Sequence, residues 1–198
     1  MWLTERRVRA QAIGYAASLG VEVALGIHAL IQALKEACSE RFDIFLSHSI
    51  RDAELILGVK VVLVDAGKSV YIDWIEDPAL DRAQVSGKTA DVLRSRMRAR
   101  DSLLYLYSQA SQRSRWMPWE LGYFDGFNGN VAILPVVPEG GALDFDREAY
   151  LQLYPKVDVV DVTGKPSLHV NRSRRLEQAE HKSFDRWRSE SEKMRPQF

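Results

Sequence analysis

The sequence has almost no cysteine: Cys38 is alone among 198 residues. A single thiol excludes an intrachain disulfide framework and a cysteine-built zinc cluster, and it points to a reducing, cytoplasmic compartment. Histidine is scarce as well. His28, His48, His169 and His181 are too dispersed to suggest a metal site. Net charge is missing altogether, with 27 basic residues against 27 acidic ones. That balance excludes a chain whose whole body binds nucleic acid or an anionic membrane. Several signature loops are absent too: no GxxxxGK[ST], no GxGxxG after the first predicted strand, no HExxH and no GxSxG. What remains is an ordinary globular composition, 46% apolar and 27% charged. Its length suits one domain with appendages and a core that needs no staples.

A long uninterrupted apolar run is also lacking. The nearest approach is 12–34, preceded by Arg6, Arg7 and Arg9 in the manner of a signal or anchor segment. Glu22 lies at its centre, where a bilayer would penalise a carboxylate by about 2.5–3.5 kcal/mol. Gly14, Gly20, Gly26, His28 and Gln32 lower its hydrophobicity further. Ile27, Leu30, Ile31 and Leu34 repeat at the spacing of one helix face. The spacing predicts two packed helices, 4–18 and 21–39, and argues against a membrane span.

From residue 42 onward, strand and helix signals alternate. FDIFLS (42–47), SVYIDW (69–74), SLLYLY (102–107) and VAILPVV (131–137) read as strands, with a fifth over 157–162. Pro135 suggests an edge or strand-end position. Helices are expected over 52–66, capped by Asp52 and apolar almost all round, and over 88–100 and 116–127. Strands separated by such helices imply βαβ crossovers and a parallel sheet with helices on both faces. Ligands then bind at the carboxyl ends of the strands, in the loops 47–52, 73–87, 108–116 and 137–147. The tail, 173–193, reads as a charged amphipathic helix with Leu176, Ala179, Phe184 and Trp187 as its apolar stripe. Eight basic residues against Asp91 and Asp101 occupy 82–115, while Asp73, Glu76, Asp77 and Asp81 form an acidic cluster just upstream. Opposite patches of this kind suit a solvated surface or head-to-tail self-association.

The segment Trp116-Met117-Pro118-Trp119-Glu120-Leu121 sets a carboxylate four residues after an indole at a helix start. Spacing of four puts the two on one face, where a ring can stack on a ligand and a carboxylate can hold sugar hydroxyls or a developing cation. The same residues would equally serve as core aromatics with a first-turn acid favoured by the helix dipole.

The order FLSH (45–48), a strand ending at Asp73, a strand ending at Ser108, and Ser114-x-Trp116-x-x-x-Glu120-Leu121 resembles the Toll/interleukin-1 receptor (TIR) domain family, in particular its bacterial members. The resemblance spans 42–137. The loop after Asp73 departs from the family by reading IEDPALDRAQVSG, without the usual acidic-leucine-x-x-glycine run.

The resemblance implies a flavodoxin-like three-layer α/β sandwich with a mainly parallel central sheet, to which the periodicity of the flanks adds N-terminal helices and a C-terminal helix. Residues 1–41 and the tail from 165 match nothing in the family, and with their own helical patterns the chain divides into a helical extension (1–41), a TIR-like domain (42–164) and a helical tail (165–198). The resemblance further implies cleavage of the nicotinamide–ribose bond of NAD, with NAD as substrate, no cofactor and no metal. The products would be nicotinamide and ADP-ribose or a cyclised or transferred ADP-ribosyl group, as in bacterial anti-phage defence signalling. Glu120 would be the catalytic carboxylate. Trp116 would stack on the ligand, and Ser47, His48, Ser49, Asp73 and Ser108 would line the substrate site. The partners the resemblance implies are a second copy of the chain and a companion effector, without nucleic acid. Two rivals stay open: a non-catalytic TIR adaptor, and a nucleoside deoxyribosyltransferase-like enzyme.

Overall fold

The computed structural model describes residues 2–19, 42–49, 51–78, 80, 86–141, 148–162, 164–174 and 178–191. The predicted helix 21–39, Arg82 and Asp81 lie outside them.

Strands β1 (Leu3–Thr4), β2 (Phe42–Ser47), β3 (Val70–Tyr71), β4 (Arg100–Tyr107), β5 (Val131–Val137), β6 (Lys156–Val162), β7 (Lys165–Arg174) and β8 (Gln178–Ser183) form one sheet. Its order is β3-β2-β4-β5-β6-β7-β8, and β1 pairs with the end of β5. The first five strands of that path run parallel, and β7 and β8 are added antiparallel. This is the α/β sandwich with a mainly parallel sheet that the alternating signals predict. Connections leave β2 in one direction, to β3, and β4 in the other, to β5. The carboxyl ends of the adjacent strands β2 and β4 therefore flank the topological switch point, where doubly wound folds bind ligands.

Helices α1 (Glu5–Ser18), α2 (Ala53–Asp65), α3 (Asp73–Glu76), α4 (Gly87–Arg98), α5 (Trp116–Phe127) and α6 (Phe184–Ser191) cover the sheet. Alternation within the strands divides the core. Leu104, Leu106, Leu134 and Val136 face α1, α2 and α6, while Leu103, Tyr105, Val131 and Ile133 face α4 and α5. Helix α2 is apolar on nearly every side because α1 packs on it as well as the sheet: Val8, Ala12 and Ala16 of α1 are buried. The approach is so close that a Cβ on Gly58 would stand 2.1 Å from the Val8 carbonyl oxygen.

Three expectations are corrected. β3 spans only two residues, and Asp73 begins a helix instead of ending a strand. Of the two positions expected for Pro135, the strand end holds and the sheet edge does not: it is the last residue of β5 in register with β4, before β1 pairs with Val136 and Val137. The tail is not helical from residue 173. Buried Leu168 and Val170 alternate with polar neighbours along β7, a period of two that prevails there, and the helix begins only at Phe184. Phe184 and Trp187 do pack on the core.

Candidate active site

Ser47 is the last residue of β2, and its hydroxyl donates a 2.5 Å hydrogen bond to Glu120 Oε2 on α5. Both residues are 0% exposed. Helix α5 is aimed there by a short relay after β4. The Ser108 N–H donates to Ser111 Oγ, whose hydroxyl donates back to the Ser108 carbonyl. Ser114 Oγ then accepts from the Met117 N–H, capping the helix. Pro118 falls in the first turn, where a missing N–H does no harm. Ser114 thus has a physical role in the Ser-x-Trp pattern that sequence reasoning left unassigned.

One turn before Glu120, Trp116 lines a cavity of about 640 Å³ together with Ser86, Gly87, Ala90, Arg115 and Trp119. Ser86 caps α4 by accepting from the Thr89 N–H. The two indoles meet edge-on, with centroids 5.4 Å apart. Trp119 stacks on Tyr123 at 5.7 Å, and the Arg94 guanidinium lies 5.4 Å from the Trp119 centroid. The wall is therefore braced from behind.

Sequence reasoning placed His48 and Asp73 in the substrate site. The structure brings them together beside Ser47, but buries them at 1% and 2% exposure. His48 Nδ1 is 2.8 Å from the Leu46 carbonyl, and Nε2 accepts from the Trp74 indole N–H at 2.9 Å. Asp73 Oδ1 stands 3.3 Å from the same Nε2 and accepts the Trp74 backbone N–H. A single ring nitrogen serves either the indole donor or the carboxylate acceptor, so this contact ties the loop after β2 to the turn after β3. Trp74 was missed because its sequence neighbours read as strand. Ser49 is half-buried at the start of the loop to α2, and Ser108 forms the turn that leads toward α5.

The acidic cluster meets the basic stretch where Asp77 faces Arg96, while Lys88, Arg98, Arg113 and Arg115 stay exposed. Arg96 grips Asp77 with two nitrogens, at 2.6 and 2.8 Å, and the fully buried Lys60 reaches Glu76 at 3.0 Å. Arg100 lies over the rings of Phe42 and Tyr71. Burial works against ionisation of Asp77, but the hydrogen bonds from Arg96 and Tyr71 prevail and hold its carboxyl below the ordinary value. Burial, aided by the bond to Asp77, pushes the Tyr71 phenol far up.

Among the described residues no group of three or more histidine, cysteine or carboxylate side chains is placed to hold a metal ion. No described helix is long and apolar enough to cross a membrane.

No family model matches the chain. Two curated relatives do. A protein of Bacillus cereus named "Probable 3' cyclic ADP-D-ribose synthase ThsB'" is 53% identical over 116 residues, 59% of this chain and 60% of that protein. A Cytobacillus dafuensis protein named "Putative cyclic ADP-D-ribose synthase TIR2" is 31% identical over 83 residues, 41% of this chain and 22% of that protein. The matched stretches thus cover about three fifths and about one fifth of those relatives. The chain is similar to bacterial TIR-type cyclic ADP-ribose synthases, which is the resemblance its motifs carry.

Proposed function

We propose that this chain cleaves the nicotinamide–ribose bond of NAD and closes the ADP-ribosyl group into a cyclic product. The observation that carries the reading is the buried Ser47–Glu120 pair, set at the switch point one helical turn from a tryptophan-lined cavity. The names of the two relatives support it.

The chemistry suits a single carboxylate. The C1′–N bond breaks with its electron pair passing to the pyridinium nitrogen, so nicotinamide leaves neutral and needs no general acid. That removes one of the two carboxylates that ordinary glycoside hydrolysis uses. Positive charge builds on the ribose, and a carboxylate fixed in a water-poor site stabilises it without reorganising. The Ser47 hydrogen bond holds Glu120 in place for that purpose. A hydroxyl oxygen of the same ADP-ribose then bonds to C1′, and its proton passes to the Glu120 carboxylate. Water in place of that hydroxyl gives linear ADP-ribose. Trp116 offers a flat surface for a base, and Arg115 brings positive charge for the phosphates. The cyclic product would signal to a companion effector in anti-phage defence, and self-association of the chain would accompany activity.

Mass spectrometry of NAD incubated with the full chain tests the reading. The expected result is loss of NAD, release of nicotinamide, and an ADP-ribosyl product lighter than ADP-ribose by one water. Glu120→Gln is expected to lower turnover at least about a hundredfold, the scale of removing one electrostatic stabiliser. Equal turnover by wild type and variant overturns the role of Glu120. Self-association in light scattering without any NAD loss would make the chain an adaptor instead.

A further inference from the structure

The loop that leaves Ser47 is anchored from a part of the chain with no counterpart in the motif pattern. Helix α1 lies on α2 with Val8 fully buried, and the Gly58 contact leaves no room for it to slide. One residue further, Arg9 extends its fork to the far end of the loop. Its Nη2 is 2.5 Å from Asp52 Oδ2, and its Nη1 is 3.1 Å from Asp52 Oδ1 and 3.2 Å from Glu54 Oε2. Asp52 is also the cap of α2, accepting from the Leu55 N–H. Two nitrogens on two carboxylate oxygens fix direction as well as distance.

The loop is thus held at both ends. At its start, Ser47 is bonded to Glu120, and His48 to Leu46 and Trp74. At its end, Arg9 holds Asp52. Between them Ser49 is half-buried and Arg51 exposed. Short loops clamped at two points transmit a displacement of either end along their length. Arg9, Asp52 and Glu54 side chains are only partly exposed, at 33%, 26% and 39%, so solvent weakens the fork without dissolving it.

We propose that Arg9 is a positioning residue of the substrate site: from α1 it sets the loop between β2 and α2, and through it the groups offered to the ribose and phosphates. The assignment rests on the NAD reading for its functional consequence, but its structural consequence can be read without it.

The experiment compares full-length Arg9→Met, Arg9→Lys and Asp52→Asn with wild type and with Arg6→Met. Arg6 lies on the same helix and, among the described residues, pairs with exposed Glu139. Asp52→Asn keeps the cap, since asparagine caps as well as aspartate, while weakening the fork. It therefore remains informative if Arg9→Met fails to fold. Two readouts are taken at a temperature well below melting: amide hydrogen exchange across 46–53, and KM and kcat for NAD. Loss of a paired charge-assisted contact is expected to speed exchange in 46–53 about tenfold while α1 and α2 keep their protection. KM is expected to rise about three- to tenfold with kcat within about twofold, Arg9→Lys lying between, and Arg6→Met unchanged.

Faster exchange throughout α1 and α2 with an unchanged KM would mean that Arg9 only holds the helix on, and it overturns the proposal. So does unchanged exchange in both Arg9→Met and Asp52→Asn. If wild type leaves NAD intact, the NAD reading fails by itself, and local exchange in 46–53 still decides whether Arg9 sets the loop.

Discussion

Gly58 is where one added carbon would do most harm. A methyl there meets the Val8 carbonyl, a backbone atom that no rotamer change removes. Gly58→Ala is expected to cost about 1–3 kcal/mol by forcing α1 away from α2, read as a lower urea midpoint with little change in slope. Lys60 is the opposite case, a charge with no exposure at all whose partner is Glu76. Removing only the amine strands a carboxylate, so Lys60→Met is expected to lose about 3–5 kcal/mol. Lys60→Met with Glu76→Gln is expected to lose less, and a double variant whose loss equals the sum of the two single losses would mean the pair is not coupled. Glu120 and Trp116 were legible in the sequence because a spacing of four on a helix fixes which residues share a face. His48 and Asp73 were legible as strand-end residues. That they would be buried and turned toward Trp74 was not, since it depends on how two loops far apart in sequence meet.

Among the elements, α6 shows how the tail is held. Arg188 reaches Asp43 at 2.6 Å and Asp101 at 3.3 Å, at the amino ends of β2 and β4. Burial alone would raise the Asp43 carboxyl, but hydrogen bonds from Ser69 and Arg188 outweigh it and lower it below 3.8. A lowered folded value means that the ionised carboxylate stabilises the fold. That contribution is complete above the ordinary carboxylate range and is lost as pH falls through the lowered value. Stability measured by denaturation is therefore expected to drop below about pH 4, and Arg188→Ala is expected to flatten that drop. An unchanged acid limb in the variant would separate α6 from Asp43. The helices α2, α4 and α5 and the strands β2, β4, β5 and β6 were legible because each carries a clean period of its own. The tail misled because the stripe Leu176, Ala179, Phe184 and Trp187 can be laid on a helix, while the two-residue alternation around Leu168 and Val170 goes on into a hairpin.

At the scale of the whole molecule, part of the balanced charge is paired between neighbouring elements. Asp77 meets Arg96, Glu76 meets Lys60, and Arg94 and Arg100 lie over aromatic rings. Lys88, Arg96, Arg98, Arg113 and Arg115 nevertheless stay exposed, so the basic stretch still presents charge at the surface.

The pairing of β1 with β5 also bears on how the chain is made. Leu3 finds Val136, so β1 waits for a strand made much later in the chain. At about 5–20 residues per second that wait is on the order of ten seconds. During it the apolar face of α1, with Val8, Ala12 and Ala16, has α2 to rest on well before β5 exists. The nascent protein is therefore expected to protect the α1–α2 pair first and to close the sheet last. Pulse proteolysis of ribosome-stalled chains would read that order as early resistance in 5–18 and 53–65 and late resistance around Leu3. Resistance at both from the outset would refute it.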